Sequence, residues 1–271
     1  MQQPRISASS YSNTAPLVWS FLYGKNHGSV ELIMDTAPAR SAELLVQDRV
    51  DAALVPVVAY QMIKGVRLVP DVCVGARERV RSVCLATNGL DLADVRTVSL
   101  DTSSRTSVAL TKIIFREFLG FEPEWKAAQP DIDAMLAESD AALLIGDPAL
   151  RLSADPKLSA SESRLRYFDL AELWKDHTGF GFVFAMWMTR RDSVSIDFAA
   201  ARDEGLAHID EIIANYETDI RLGSDEMRMY LSENISYSID DSMRNGMELY
   251  FKLSEKHGLI KKSRELLFLS N

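Results

Sequence analysis

Short apolar runs alternate with amphipathic segments along most of the chain, and this alternation predicts an α/β fold with a largely parallel sheet covered by helices. The last quarter shows helical periodicity alone. The predicted strands are Arg5–Ala8, Val30–Met34, Ala52–Val55, Ser82–Thr87, Thr97–Leu100, Ala141–Ile145 and Phe182–Met188. The predicted helices are Ala15–Tyr23, Ala39–Arg49, Arg105–Leu119, Ile132–Ala137, Ile196–Tyr216, Ser224–Ser232 and Ile239–His257.

One strand-and-turn pattern occurs twice. Asp51-Ala-Ala-Leu-Val-Pro56 is echoed by Asp140-Ala-Ala-Leu-Leu-Ile-Gly-Asp-Pro148, and each copy ends in a proline-containing turn after an apolar strand. The echo indicates two related lobes, each offering a loop to a shared cleft. Chance similarity of two alanine-rich strands is the alternative interpretation.

The chain is expected to cross between the lobes near residues 82–88 and 182–188, because the sequence turns polar or basic just after each apolar run. Residues 1–86 and 188–271 would then form lobe I, and residues 87–187 would form lobe II. A two-lobed fold of this kind carries its ligand between the lobes, with the C-terminal helices on lobe I.

Composition excludes several classes of protein. The chain has 271 residues, 47% of them hydrophobic, and a formal net charge of −9 with no compensating Lys/Arg run, which argues against a nucleic-acid or anionic-membrane partner. No apolar stretch is long enough to span a membrane, and the first residues do not resemble a secretory signal, so a cytoplasmic location is expected. Cys73 and Cys84 lie in apolar runs and are predicted to be buried free thiols.

The first candidate site is the loop Ser9-Ser-Tyr-Ser-Asn-Thr-Ala-Pro-Leu17, which follows a strand and leads into a helix. Hydroxyls, an amide and the free N–H groups of a helix N-terminus can together hold a carboxylate. A helix cap with Pro16 in the first turn explains Thr14 but not the other polar residues. Ser10 and Asn13 are therefore the candidates for function here.

The second candidate is the run Asp101-Thr-Ser-Ser-Arg-Thr-Ser107, again between a strand and a helix. One of these hydroxyls must be an ordinary N-cap, and the surplus suggests a bound carboxylate in line with the helix dipole. Thr102, Ser103 and Ser104 are the candidates.

Two further loops complete the set. Gly146 permits close approach of the backbone to a ligand, and Asp147 can accept a hydrogen bond or donate a proton, although an Asp-Pro turn is an equal alternative. In His177-Thr-Gly-Phe-Gly-Phe-Val-Phe184 the glycines would allow Phe180 or Phe182 to form an aromatic wall near a ligand. Core packing is the favoured expectation for Phe182 and Phe184.

Several catalytic motifs are missing from the sequence. It has no phosphate-cradling glycine loop, no Cys/His metal cluster, no Gly-x-Ser-x-Gly elbow and no dinucleotide fingerprint. We therefore expect neither a metal nor a cofactor. An enzyme of this kind would catalyse a reaction that proceeds readily once the substrate is held.

The ordered motifs Ser10–Leu17, Asp51–Pro56, Ser99–Ser107, Ile145–Ala149 and Thr178–Phe184, with Tyr230-Leu231 and Lys256-His-Gly-Leu259, resemble the chorismate dehydratases of the futalosine route to menaquinone. The resemblance covers essentially the whole chain. Two positions depart from it, since Ser12 stands where members often have Leu and Gly181 where they often have Pro.

The resemblance implies a fold like the type II periplasmic binding proteins and cofactor-free conversion of chorismate into 3-[(1-carboxyvinyl)oxy]benzoate and water. It also implies that Asn13 is the position most closely tied to activity. Thr102, Ser103 and Ser104 would hold one substrate carboxylate, and Ser10, Asn13 and Ser82 would meet the other end. No histidine or lysine stands in these motifs, so the enolpyruvyl carboxylate of the substrate is a candidate base.

Three alternatives remain open at this point. A solute-binding protein would share the fold without catalysis, and the related 1,4-dihydroxy-6-naphthoate synthase would share both fold and pathway. A ligand-sensing regulatory domain is the third. The sequence does not define an oligomeric state.

Overall fold

The computed structural model describes residues 3–35, 38–155 and 165–269, with nothing stated of the side chains of residues 217 and 218. The strands are β1 (Arg5–Ser9), β2 (Glu31–Asp35), β3 (Ala52–Pro56), β4 (Arg67–Ala76), β5 (Val83–Asn88), β6 (Thr97–Asp101), β7 (Glu124–Ala128), β8 (Ala141–Ile145), β9 (Leu165–Asp169) and β10 (Phe182–Thr189). The helices are α1 (Ala15–Leu22), α2 (Pro38–Val46), α3 (Ala59–Met62), α4 (Arg105–Ile113), α5 (Ile132–Glu138), α6 (Gly146–Ser153), α7 (Leu170–Thr178), α8 (Phe198–Ala207), α9 (Ile209–Ile220), α10 (Ser224–Met229) and α11 (Asp241–Lys256).

These strands form two five-stranded sheets with the same topology. The first has the order β2-β1-β3-β10-β4 and the second the order β7-β6-β8-β5-β9. In each sheet the first three strands are parallel, and the fourth runs antiparallel to both of its neighbours. The prediction of a largely parallel sheet was therefore wrong for half of the pairings, because β10 and β5 each enter their sheet from the other half of the molecule.

The repeated sequence pattern corresponds to a repeated structure. β3 and β8, the two echoed strands, occupy the same place in their sheets. The aspartate that precedes each strand has the same role, since Asp51 accepts a hydrogen bond from the N–H of Arg5 at 2.9 Å and Asp140 accepts one from the N–H of Thr97 at 2.9 Å. Each aspartate thus fastens its strand to the start of the neighbouring parallel strand.

The chain passes between the sheets twice, once between β4 and β5 and once between α7 and β10. β5 lies wholly in the second sheet and β10 wholly in the first. The two segments predicted to cross, residues 82–88 and 182–188, therefore begin where the chain changes sheet and continue as strands of the sheet that they enter. The predicted lobe boundaries at 86/87 and 187/188 fall within or at the end of these strands. The change of sheet comes earlier, before Val83 and before Phe182.

The C-terminal helices cover the first sheet and reach the second. α8 packs against α1 and β4, and α11 packs against β10 and also α4. The predicted single helix Ile196–Tyr216 is divided at His208, whose ring stacks on Trp19 at 3.8 Å between centroids. Gly205 lets α8 approach α1 closely, since a Cβ there would lie 1.9 Å from the carbonyl oxygen of Pro16.

Cys73 and Cys84 are both buried and free, as predicted. In the described part of the chain, no helix combines the length and the apolar character that a bilayer span requires. The helix predicted at Arg105–Leu119 is present, but it widens to a π-helix from Ile114 onward.

Candidate active site

A cavity lies between the two sheets, at the ends of β1, β3 and β8 and beside the start of α4. Both halves of the molecule contribute to it, and its wall combines apolar side chains with neutral polar ones. The lining residues are Ser9, Tyr11, Asn13, Thr14, Pro38, Leu54, Pro56, Val74, Phe184 and Ala185 on the side of the first sheet, and Val83, Ser104, Ser107, Ile145 and Gly146 on the side of the second.

The loop after β1 presents Asn13 to this cavity. Asn13 is half-buried and lies in a short 3₁₀ turn that leads into α1. Thr14 does not cap α1 with its side chain; its hydroxyl instead donates to the carbonyl oxygens of Ser9 at 2.5 Å and Tyr11 at 2.8 Å. These two bonds fix the turn that carries Asn13.

Ser10 is placed beside the cavity and is not part of its lining. Its N–H donates to the carbonyl oxygen of Asp35 at 2.8 Å, and its carbonyl accepts a 3.3 Å hydrogen bond from the hydroxyl of Tyr216. The backbone of Ser10 therefore ties β1 to β2 and to α9. A catalytic role for its side chain stays a prediction.

In the loop after β6, Ser104 is the N-cap of α4. Its hydroxyl oxygen accepts the N–H of Ser107 at 3.2 Å and donates to the Ser107 hydroxyl at 2.8 Å. Both serines line the cavity, where the positive end of the α4 dipole favours a bound anion. Thr102, in contrast, is exposed and does not line the cavity.

Ser103 is directed to a neighbouring carboxylate. Its N–H and its hydroxyl donate to Oδ1 of Asp101 at 2.9 and 2.6 Å. Asp101 is buried, and its Oδ2 has no hydrogen-bond partner among the described residues. Burial raises the pKa of Asp101, and the hydrogen bonds from Ser103 oppose the rise.

Gly146 lies where the two halves touch. Its φ of +63° is in the left-handed region, and its N–H donates to the carbonyl oxygen of Ser82 at 2.7 Å. A Cβ at this position would lie 2.8 Å from the ring of Tyr11, so glycine is required for the tyrosine to cross the cleft. The predicted close approach at Gly146 is thus made by a protein ring.

Asp147 is engaged by the opposite loop. Its Oδ1 accepts the hydroxyl of Ser12 at 2.6 Å and the N–H of Ser12 at 3.1 Å. Burial raises the pKa of Asp147, while the two hydrogen bonds from Ser12 oppose the rise. Asp147 does not line the cavity, and its contacts are those of a link between the two halves.

The last two candidates lie at the passages between the sheets. Ser82 is buried just before β5, outside the cavity lining, and its side chain adjoins the hydroxyl of Tyr230. Phe180 lies against α11 at Gly246, where an added Cβ would be 3.2 Å from the Phe180 Cβ. Phe184, for which core packing was expected, is the aromatic residue of this run that lines the cavity.

Sequence reasoning missed several residues that the structure places at or beside the cavity. Tyr11 stood inside the first motif, and Ser107 stood three residues after Ser104, which is the spacing of an N-cap pair. Both could have been found from these local signals. Tyr230 comes from the helical last quarter, and no local pattern pointed to it.

The cavity has a distinctive electrostatic character. Among the described residues, its lining includes no Lys, Arg or His, and no group of three or more His, Cys, Asp or Glu residues is arranged to hold a metal ion. The polar groups that face the cavity are hydroxyls and the amide of Asn13. Such a site can orient a small molecule with an apolar body and polar ends by neutral hydrogen bonds.

Known proteins resemble this chain in sequence and in fold. A chorismate dehydratase from Thermus thermophilus is 29% identical over 261 residues, which cover 89% of this chain and 91% of that protein. A solved structure from Archaeoglobus fulgidus superimposes with a TM-score of 0.72 at 17% identity, covering 95% of this chain and 98% of the other.

The periplasmic aliphatic sulphonate binding protein of Escherichia coli superimposes with a TM-score of 0.64 at 14% identity, covering 100% of this chain and 95% of that one. This likeness confirms the predicted two-lobed periplasmic-binding-protein fold. The family model described as menaquinone biosynthesis matches residues 4–256. The chain therefore belongs to the menaquinone biosynthesis family.

Proposed function

We propose that this chain is a chorismate dehydratase, a hydro-lyase that converts chorismate into 3-[(1-carboxyvinyl)oxy]benzoate and water. The observation that carries the proposal is Asn13 in the wall of a cavity between the two sheets, opposite the N-terminus of α4. Membership of the menaquinone biosynthesis family and the similarity to the Thermus thermophilus enzyme support the same conclusion.

The cavity wall suits the shape and chemistry of this substrate. Chorismate has a diene ring, which bears one hydroxyl, between a ring carboxylate and an enolpyruvyl carboxylate. Leu54, Val74 and Phe184 provide apolar contacts for the ring. Ser104 and Ser107 are the polar groups at the positive end of the α4 dipole, so we assign one carboxylate to them.

Ser103 and Asp147, two other predicted site residues, would support substrate binding without direct contact. The hydroxyl of Ser103 donates to Asp101, so its part in substrate binding would be to hold the loop or to exchange partners on binding. Asp147 is occupied by Ser12 and would act by keeping the two halves together. Asn13 is left to hold the reacting end of the substrate.

The reaction needs one base and one departing hydroxyl. Loss of the proton from the ether-bearing ring carbon leaves an electron pair that forms the new ring double bond, and the neighbouring hydroxyl departs with a proton as water. The lining offers no Lys or His as a base in the described part of the chain, and Asp101 and Asp147 lie outside it. We therefore assign the proton transfer to the enolpyruvyl carboxylate of the substrate.

Aromatisation supplies the driving force, so the protein has to orient the substrate and stabilise developing charge. The test is to incubate the purified protein with chorismate and to follow both compounds by chromatography. Formation of the benzoate product supports the proposal. A stable complex that forms no product would favour a solute-binding protein instead.

A further inference from the structure

Thr106, in the first turn of α4, ties this helix to the other half of the molecule by two hydrogen bonds. Its hydroxyl oxygen accepts the N–H of Val58 at 3.3 Å, and its carbonyl oxygen accepts the hydroxyl of Tyr250 at 3.1 Å. All three residues are buried. Val58 caps α3, after β3 of the first sheet, and Tyr250 lies in α11, whereas α4 follows β6 of the second sheet. Both bonds therefore cross between the halves at the N-terminus of α4.

The same turn of α4 builds part of the cavity wall. Ser104 and Ser107 line the cavity, and their hydroxyls are joined by a 2.8 Å hydrogen bond. Thr106 lies between them in sequence but does not line the cavity, and its hydroxyl is engaged by Val58 instead. One turn of helix thus presents two hydroxyls to the cavity and attaches itself to the opposite half by a third.

The partner loop belongs to the opposite wall of the cavity. β3 ends at Pro56, which lines the cavity, and the next residue, Val57, donates its N–H to the carbonyl oxygen of Phe184 at 2.9 Å. Phe184 also lines the cavity. The bond from Val58 to Thr106 therefore joins the wall on the side of the first sheet to the wall on the side of the second.

The separation of these walls matters because the substrate is held at both. In the proposed function Ser104 and Ser107 take one carboxylate, and Asn13, on the side of the first sheet, holds the reacting end. The reaction then requires α4 to keep a fixed position relative to the loop that carries Asn13. A misplacement of about 1 Å can cost about 100-fold in rate, even when its cause lies away from the chemistry.

We propose that Thr106 is a positioning residue that braces the N-terminus of α4 against the loop after β3 and so sets the distance between the carboxylate site and Asn13. The bond to Val58 is the one that depends on the side chain, because Tyr250 bonds to the backbone of Thr106. The inference rests on the proposed dehydratase function and adds to it a residue that does not line the cavity.

Thr106→Val tests the brace, because it keeps the branched shape and removes the acceptor of the buried Val58 N–H. We expect kcat to fall by roughly 10- to 100-fold through misalignment of the two ends of the substrate. KM should change by less than about threefold, because Ser104 and Ser107 remain at the positive end of the α4 dipole. Thr106→Ser keeps a hydroxyl at this position and should recover most of the lost kcat.

Thr189→Val is the matched control. Thr189 is also buried, its hydroxyl oxygen accepts the N–H of Arg191 at 3.0 Å, and it does not line the cavity. Its kcat and KM should stay near the wild-type values. Thermal unfolding of each variant sets an assay temperature at which all are folded, so that a lower kcat does not report a loss of folded protein.

A second readout does not depend on turnover. Hydrogen exchange of the Val58 amide, followed by NMR, should be faster in Thr106→Val than in the wild type, Thr106→Ser and Thr189→Val. Unchanged exchange at Val58, equal kcat losses in Thr106→Val and Thr189→Val, or no recovery in Thr106→Ser would overturn the role of Thr106. A wild-type protein that forms no benzoate product refutes the proposed function instead, and exchange at Val58 still decides whether Thr106 braces α4.

Discussion

The hydroxyl of Ser12 donates a 2.6 Å hydrogen bond to Oδ1 of Asp147, and this bond joins the loop after β1 to the start of α6. The two residues lie 135 positions apart in sequence and on opposite sides of the cleft. Hydrogen bonds from a hydroxyl to a carboxylate are short and strong compared with neutral ones. The contact therefore acts as a clasp between the halves of the molecule.

Asp147→Asn should change how stability depends on pH. Burial raises the pKa of Asp147, so the ionised carboxylate is disfavoured in the folded state. As pH falls through this raised pKa, the wild-type protein takes up a proton and loses that penalty, whereas the Asn variant has nothing to titrate. The free energy of unfolding of the wild type, relative to the variant, should therefore increase as the pH falls from neutrality toward the ordinary aspartate pKa of about 4.

Denaturant titration of both proteins at each pH measures this difference. Ser12→Ala is the companion variant, because it removes the opposing hydrogen bond and keeps the titrating group. If the stability of the wild type relative to Asp147→Asn stays constant, or increases as the pH rises, burial does not raise the pKa of Asp147.

Gly146→Ala should destabilise the protein more than Gly120→Ala. Both glycines have positive φ, +63° and +80°, so alanine at either costs roughly 1–2 kcal/mol of backbone strain. Gly120 has open space around it, whereas a Cβ at Gly146 would meet the ring of Tyr11 at 2.8 Å. The additional overpacking is about 1–3 kcal/mol, and turnover should fall as Tyr11 is displaced. Unfolding curves that coincide for the two variants would contradict the close contact.

Substitutions of Ser104 should separate helix capping from ligand binding. Ser104→Ala removes the N-cap of α4 and should lower stability by about 1 kcal/mol. Ser104→Asp keeps a good cap but adds negative charge to the cavity wall, so KM for chorismate should rise while stability is retained. Ser104→Asn, a neutral cap, is the control for side-chain size. An unchanged KM in Ser104→Asp would show that no substrate carboxylate binds at the N-terminus of α4.

Much of the fold follows from local sequence patterns. The repeated pattern that begins at Asp51 and Asp140 predicted two equivalent strands. The run of hydroxyl residues before α4 contains its N-cap, Ser104, and also Ser103, whose hydroxyl donates to Asp101. The strands β4, β7 and β9 were missed because Pro70 interrupts the first and because two of the five residues in each of the other two are charged. Pattern reasoning finds a strand only where apolar residues dominate it.

The pairings across the cleft could not be predicted from the sequence. Nothing in the local pattern connects Ser12 with Asp147, because the contact depends on how the two sheets meet. Tyr230, from the helical last quarter, likewise comes near Ser82 and Asn13 only after the C-terminal helices have packed. The sequence therefore indicated which loops form the site, but not which of their polar groups are taken up by other protein groups.

Asn13→Ala should abolish most turnover while leaving the fold intact. Asn13 is half-buried, and the hydrogen bonds of Thr14 hold its turn without help from its side chain. Loss of a preorganised donor that acts on developing charge lowers kcat by roughly 100- to 1,000-fold. Asn88→Ala, at an exposed position at the end of β5, is the control. Thermal unfolding midpoints of both variants should lie close to that of the wild type.

The most direct measurement is a time course of chorismate with the purified wild-type protein, Asn13→Ala and Asn88→Ala, analysed by chromatography for 3-[(1-carboxyvinyl)oxy]benzoate. We predict that the wild type and Asn88→Ala convert chorismate into this benzoate and that Asn13→Ala forms almost none. Chorismate that remains unconverted by the wild type, or equal product from all three proteins, would contradict the assignment of the cavity at Asn13 as a dehydratase site.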